Sequence, residues 1–376
     1  MNNARKRALC AALTFALPFS TLAAEEAVPS LKESLAGYFA IGAAVPPSFV
    51  DAADLHSGLI ARQFGAIVAE NCMKPETLQP TEGVFRFRDA DKILRFAAAN
   101  AMLVRGHTLV WHQQTPAWFF SDPDDPTKPA SRELLLSRMR THIQTVVGHF
   151  RGRVAAWDVV NEALSDEGSL RSGAQGSKWM EILGPGYIDK AFEYAHAVDP
   201  DALLVINDYN LESSSAKREA MYELVKGMLA RGVPVGAVGL QMHISIYNPS
   251  IGEIRQAIER FASLGIKVQV TEMDVSIYKG SERQKPVTPE LLELQAKRYG
   301  ELFGLFKEEA ADKRLDMVML WGVSDESSWL DNFPVQGRAN APLLFDRGQL
   351  PKPAFWAVLS TAGAAAEGSK QRAGDP

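Results

Sequence analysis

Eight short apolar or β-branched runs, separated by longer amphipathic stretches, constrain what this chain can fold into. The runs are Tyr38–Ala43, Ala66–Asn71, Met102–Val110, Val154–Glu162, Leu203–Asp208, Ala237–His243, Lys267–Val275 and Met317–Val323. Between them apolar residues recur at helical spacing, as in Leu135, Leu136, Met139, Ile143, Val146 and Val147, or in Leu292, Tyr299, Leu302, Phe303 and Phe306. Continuously apolar strands alternating with helices imply a parallel sheet covered on its faces, and eight such units favour a closed barrel over an open sheet. No Gly-x-Gly-x-x-Gly or Walker-type loop follows an early strand, which removes the usual signature of a nucleotide-binding open sheet. The expected fold class is therefore α/β, a single (β/α)8 TIM barrel over residues 30–361 with its active site at the C-terminal ends of the strands. No Pro/Ser-rich linker joins a second domain, and the Ala/Gly-rich residues 362–376 are expected to form a loose tail.

The N-terminus reads differently from the rest. Arg5, Lys6 and Arg7 precede an apolar run, Ala8–Phe19, and a small-residue zone, Thr21–Ala24. This is the pattern of a signal peptide over residues 1–24, with a run too short to cross a bilayer, and it predicts a periplasmic or secreted protein with no membrane contact in its mature form. That segment holds three cations and no acid, so its removal moves the net charge from −5 to −8 and makes nucleic acid a poor partner. Cys10 lies within it, leaving Cys72 as the one mature thiol, expected to be a buried small apolar residue. The protein is expected to be held by its core alone, since a domain of about 300 residues buries roughly three quarters of its unfolded surface, and to be a monomer.

Polar residues that close an apolar barrel strand are the informative ones. The fourth run ends in Glu162, the sixth in Gln241-Met242-His243, and the seventh in Thr271-Glu272-Met273-Asp274. Strand alternation places Val268, Val270, Glu272 and Asp274 on one face, with the valines deep in the barrel and the acids at its mouth. Two carboxylates converging from different strands, Glu162 and Glu272, suit glycoside hydrolysis, in which one acid protonates the leaving oxygen while the other attacks or activates water. The plain alternative is a pair of structural acids in ion pairs. His243, from the strand before Glu272, can donate to that carboxylate while Asp274 holds its other nitrogen. Glu272 is then the nucleophile and, by elimination, Glu162 the proton donor.

Other strand ends offer groups suited to a hydroxyl-rich ligand, which needs many hydrogen-bond partners and flat apolar faces. These are Glu70, Asn71 and Lys74, then His107, Trp111, His112 and Gln114, then Asn207, Asp208, Tyr209 and Asn210, with Trp321 and Trp329 as a sugar platform. Trp157, on the face opposite Glu162, is expected in the core.

At these residues the sequence resembles glycoside hydrolase family 10, the endo-β-1,4-xylanases. The resemblance is carried by Arg105–His112, Trp157–Ala163, Ile206–Asn210, Gly239–His243, Val270–Val275, Pro342–Asp346 and Lys352–Phe355, in order along the chain. It implies Glu162 as acid/base, Glu272 as nucleophile, Asn161 on the sugar 2-hydroxyl, and xylose sites lined by Glu70, Asn71, Lys74, His107, Trp111, Gln114, Gln241, His243, Trp321 and Trp329. It also implies a xylan substrate, retention of configuration, and no cofactor or metal. For Asn161 and Glu162 to face one sugar, the backbone must bend between them. A family disulfide near the sixth and seventh strands has no counterpart, and Gln113-Gln114 and the loop Tyr278–Pro289 are less familiar. Two rival readings are a β-1,4-glucanase of the same mechanism and a metal hydrolase using His107, His112 and His243, whose spacing suits a metal poorly.

Overall fold

The computed structural model describes residues 28–173 and 176–372, with the side chains after Gly363 left undescribed. The expected signal peptide therefore lies outside the described residues. Eight parallel strands are present: β1 Ala40–Val45, β2 Ala66–Ala69, β3 Leu103–Trp111, β4 Ala156–Asn161, β5 Leu203–Asp208, β6 Ala237–Leu240 with a second segment at His243–Ser245, β7 Lys267–Ser276, and β8 Leu315–Leu320. Each pairs with its neighbour in sequence order, and Ala40 of β1 opposite Met317 of β8 closes the barrel. The helices that follow the strands are Leu55–Gln63, Arg88–Ala99, Arg132–Phe150, Tyr187–Val198, Ser215–Ala230, Ile251–Ala262, Pro289–Ala311 and Pro353–Arg372. Several start where side chains cap the first free N–H groups: Ser131 accepts from Leu134, and Ser250 and Glu253 form a reciprocal capping box. The last helix is assigned through Arg372.

The main apolar core lies between strands and helices and includes Val104, Trp157, Val159, Ile206, Val238, Val268 and Val270 beside Ile143, Ile188, Met221 and Phe261. Val268 and Val270 thus face the helices, which corrects the expectation that they fill the barrel beneath Glu272. The barrel interior receives Gln269 and Thr271 instead. Arg105 of β3 donates to Asp158 of the neighbouring β4 and, across the interior, to Gln269 of β7, which donates in turn to Asp316 of the neighbouring β8. A separate apolar cluster fills part of the remainder, with Ala44, Ala66 and Val68 beside Met317 and Met319. Gly106 is required where Trp157 packs on β3, because a Cβ there would lie 2.2 Å from the indole ring. Trp157 is fully buried, as expected, and Cys72 is buried too, its thiol pKa pushed up to about 12 by burial and the nearby charge of Asp89. Among the described residues no helix is long and apolar enough to cross a membrane.

Candidate active site

Two strands that end in acids depart from regular pairing just before them. The register slips between Asp158 and Val160 where β4 meets β5, and between Val270 and Met273 where β7 meets β8. Such bulges re-aim the side chains that follow. Beyond Asn161 the chain turns sharply: Glu162 has φ 55°, in the left-handed region, and its N–H donates to the carbonyl of Asn207 at 2.8 Å. This is the bend that lets adjacent Asn161 and Glu162 serve one cavity. A comparable device breaks β6, where Met242 has φ 62° and the strand restarts at His243, opposite Asp274.

The acids open onto a cleft of about 730 Å³ at the C-terminal ends of the strands. Of the residues singled out from sequence, Glu70, Asn71, Lys74, His107, Trp111, Asn161, Glu162, Tyr209, Asn210, Gln241, His243, Glu272, Trp321 and Trp329 line it. Glu162 Oε2 accepts from Trp111 Nε1 at 3.0 Å, and its Oε1 accepts from Gln241 Nε2 at 3.2 Å and Asn161 Nδ2 at 3.4 Å. Glu272 Oε1 accepts from Asn207 Nδ2 at 2.8 Å, and the same amide nitrogen donates to Asn161 Oδ1 at 2.8 Å. Asn161 and Asn207 therefore tie the two carboxylates together.

Asn207 itself is fully buried beneath the acids and does not line the cleft, which corrects its expected place among the substrate-binding residues. Its carbonyl oxygen accepts from Thr271 Oγ1 at 2.7 Å, which fixes the amide orientation. Gln114 is also set back, accepting from Lys74 Nζ at 2.8 Å, while its neighbour Gln113 reaches the cleft. Lys74 bonds Asn71 Oδ1 as well and lies 5.0 Å from the centre of the Trp111 ring. Burial lowers its pKa, against the charges of Glu272, Glu70 and Glu162.

On its other side Glu272 faces two histidines. His243 Nε2 lies 3.4 Å from Oε2, while His243 Nδ1 is 3.0 Å from Asp274 Oδ2. Asp274, set behind His243, also accepts from Trp329 Nε1 at 2.8 Å, so one carboxylate holds both the histidine and the platform indole. His107 Nδ1 is 3.0 Å from Asp158 Oδ2 and 4.0 Å from Glu272 Oε1. Burial alone would push Glu272 up, but the hydrogen bond from His243 and the charges of His107 and His243 bring its pKa below the usual glutamate value. For His243, burial works against the charged form, yet the charge and hydrogen bond of Asp274, with Glu272, push it up to about 10. Glu272 is thus held ionised by a protonated histidine.

Sequence reasoning passed over Asp166, Arg171 and Phe333, which also line the cleft. They come from long loops after β4 and β8, where nothing in composition or spacing separates a site residue from a surface one. Phe333 stacks on Trp329 with ring centres 4.9 Å apart and extends the aromatic platform.

Comparison with known proteins identifies a family. The model of the Glycosyl hydrolase family 10 matches residues 30–361. The chain is 52% identical, over 90% of its length, to endo-1,4-beta-xylanase C of Paenibacillus barcinonensis, spanning 32% of that larger protein. It is 46% identical to endo-1,4-beta-xylanase B of the same organism, over 88% of this chain and 98% of the relative. A solved family 10 structure from P. barcinonensis superposes with a TM-score of 0.88 at 52% identity, covering 89% of this chain and 98% of the other.

Proposed function

The chain belongs to glycosyl hydrolase family 10, and from that premise we propose that it is an endo-1,4-β-xylanase that cleaves internal bonds of xylan with retention of configuration. The observation that carries the mechanism is the pairing of Glu272 with Glu162 through Asn207 and Asn161 at the floor of one cleft, with His243 beside Glu272 to favour its carboxylate form. Glu272 attacks the anomeric carbon while Glu162 gives its proton to the departing glycosidic oxygen, leaving a covalent glycosyl-enzyme. Glu162, now a carboxylate, takes a proton from water, which attacks the same carbon and releases Glu272. Asn161, held between the acids, is suited to the sugar 2-hydroxyl. Glu70, Asn71, Lys74, His107, Trp111, Tyr209, Gln241, Trp321 and Trp329 bind the sugars, with the indole and phenol faces taking the C–H sides of the rings. Export through the N-terminal signal fits a polymer that is degraded outside the cytoplasm.

Retention requires carboxyl groups about 5–5.5 Å apart, whereas inversion needs about 6.5–9.5 Å to admit a water. Turnover of linear β-1,4-xylan and β-1,4-glucan, with proton NMR of the first-formed reducing end, tests the proposal. Xylan should be the faster substrate and the β-anomer should appear first. An α-anomer, or faster turnover of glucan, would overturn it.

A further inference from the structure

Arg171 lies in the loop after β4, nine residues beyond Glu162, and its side chain is buried where the loop folds back over the cleft. Its Nε donates to the main-chain carbonyl of Glu162 at 3.2 Å, and its Nη2 donates to the carbonyl of Leu164 at 2.9 Å and to Tyr209 Oη at 3.0 Å. Tyr209 in turn donates to Asp166 Oδ1 at 2.5 Å. The main-chain N–H of Arg171 closes the loop on the carbonyl of Ala163 at 2.9 Å.

Glu162 holds a left-handed backbone conformation that is unfavourable for a residue with a Cβ and persists only when its surroundings fix it. On the N-terminal side the carbonyl of Asn207 fixes its N–H; on the C-terminal side the guanidinium of Arg171 fixes its carbonyl. We propose that Arg171 is a positioning residue that aims the Glu162 carboxyl at the leaving oxygen, an inference that rests on reading Glu162 as the proton donor. The contact suits that task because it is made to the main chain. A guanidinium bonded to the carboxylate would favour the charged form and oppose proton donation. The acceptors are spread over two nitrogens of one rigid fork, a spacing that a single ammonium on a flexible stem does not reproduce.

The proposal predicts a dependence on leaving-group acidity. Aryl xylobiosides of similar shape but graded phenol acidity need the proton to different degrees, and kcat/KM reports the first chemical step alone. Arg171→Met and Arg171→Lys should widen the ratio between the most and least acidic leaving groups by about tenfold or more over the parent, because a misaimed acid fails only where a proton is needed. The ratio does not depend on the fraction of enzyme folded, so a destabilised variant remains informative. Tyr209→Phe, which leaves the bond from Arg171 to the Glu162 carbonyl in place, should raise KM for xylo-oligosaccharides without widening the ratio. An unchanged ratio in both arginine variants would overturn the proposal and leave Arg171 a structural residue, as would an equal widening in Tyr209→Phe. Should Glu162→Ala itself leave the ratio unchanged, the reading of Glu162 as proton donor would fall first.

Discussion

Glu272 owes its ionised state to its neighbours rather than to solvent, and His243 is the nearest of them. Because the hydrogen bond from His243 stabilises the carboxylate, removing it should raise the Glu272 pKa. Activity needs Glu272 charged, so the acid limb of kcat/KM against pH should move to higher pH in His243→Ala, while the alkaline limb moves less. An acid limb left in place in a folded variant would show that the histidine only fills space. The place of these residues in one cluster was legible where a titratable group closes an apolar run, as Glu162, His243, Glu272 and Asp274 do, since such a position leaves few structural uses for a charge. Asn207 and Gln114 show the limit of that rule. Both follow apolar runs, yet one is turned beneath the acids to bridge them and the other backs Lys74. Arg171 had no signal at all, because an arginine in a polar loop is the most ordinary of placements.

Elements set the aim of these residues through their irregularities. β6 passes close behind Asn207 and Thr271, and a Cβ at Gly239 would lie 2.3 Å from Asn207 Oδ1 and 2.9 Å from Thr271 Cγ2. Gly239→Ala must therefore displace the amide that joins Asn161 to Glu272. The expected outcome is a loss in kcat of about 10²-fold, typical of a displacement near 1 Å at reacting groups, with a smaller change in KM. Kinetics on a linear xylo-oligosaccharide, beside thermal unfolding, would check it; parental kcat would show that the amide bridge is dispensable. Strand and helix positions were legible from period, because burial on both faces of a strand leaves a continuous apolar run. The bulges in β4 and β7 and the break in β6 were not, apart from the bend demanded at Asn161 and Glu162. A slip of one residue alters which face a side chain takes while leaving the run of residue types unchanged, and for this reason Val268 and Val270 were assigned to the wrong side.

At the scale of the whole molecule, the ion pair between Arg105 and Asp158 joins two neighbouring strands inside the barrel, and both side chains are buried. Burial would raise the Asp158 pKa, but Arg105 and the His107 hydrogen bond lower it below the unfolded value of 3.8. Its ionisation thus contributes stability that is complete above that value and is lost as pH falls through the folded one. Arg105→Met removes the buried cationic partner and leaves Asp158 only the His107 hydrogen bond, and the variant should lose about 3 kcal/mol at neutral pH. Without Arg105 burial dominates, so protonating Asp158 relieves the variant and the gap from the parent should narrow toward pH 3. Chemical denaturation at two pH values measures both; a gap that is small at neutral pH or constant with pH would show that water reaches the pair. Taken alone, the sequence determined the number of βα units, the closure into one barrel, and the convergence of Glu162 and Glu272 on one cleft, because burial and strand-end position are properties of a run of residues. Only the tertiary structure decided the polar barrel interior, the bridge from Asn161 through Asn207 to Glu272, and the hold of Arg171 on Glu162. Each of these joins residues distant in sequence or separated by an irregular loop, and their contacts depend on bulges and left-handed turns whose energies come from the packing around them rather than from the residues that form them.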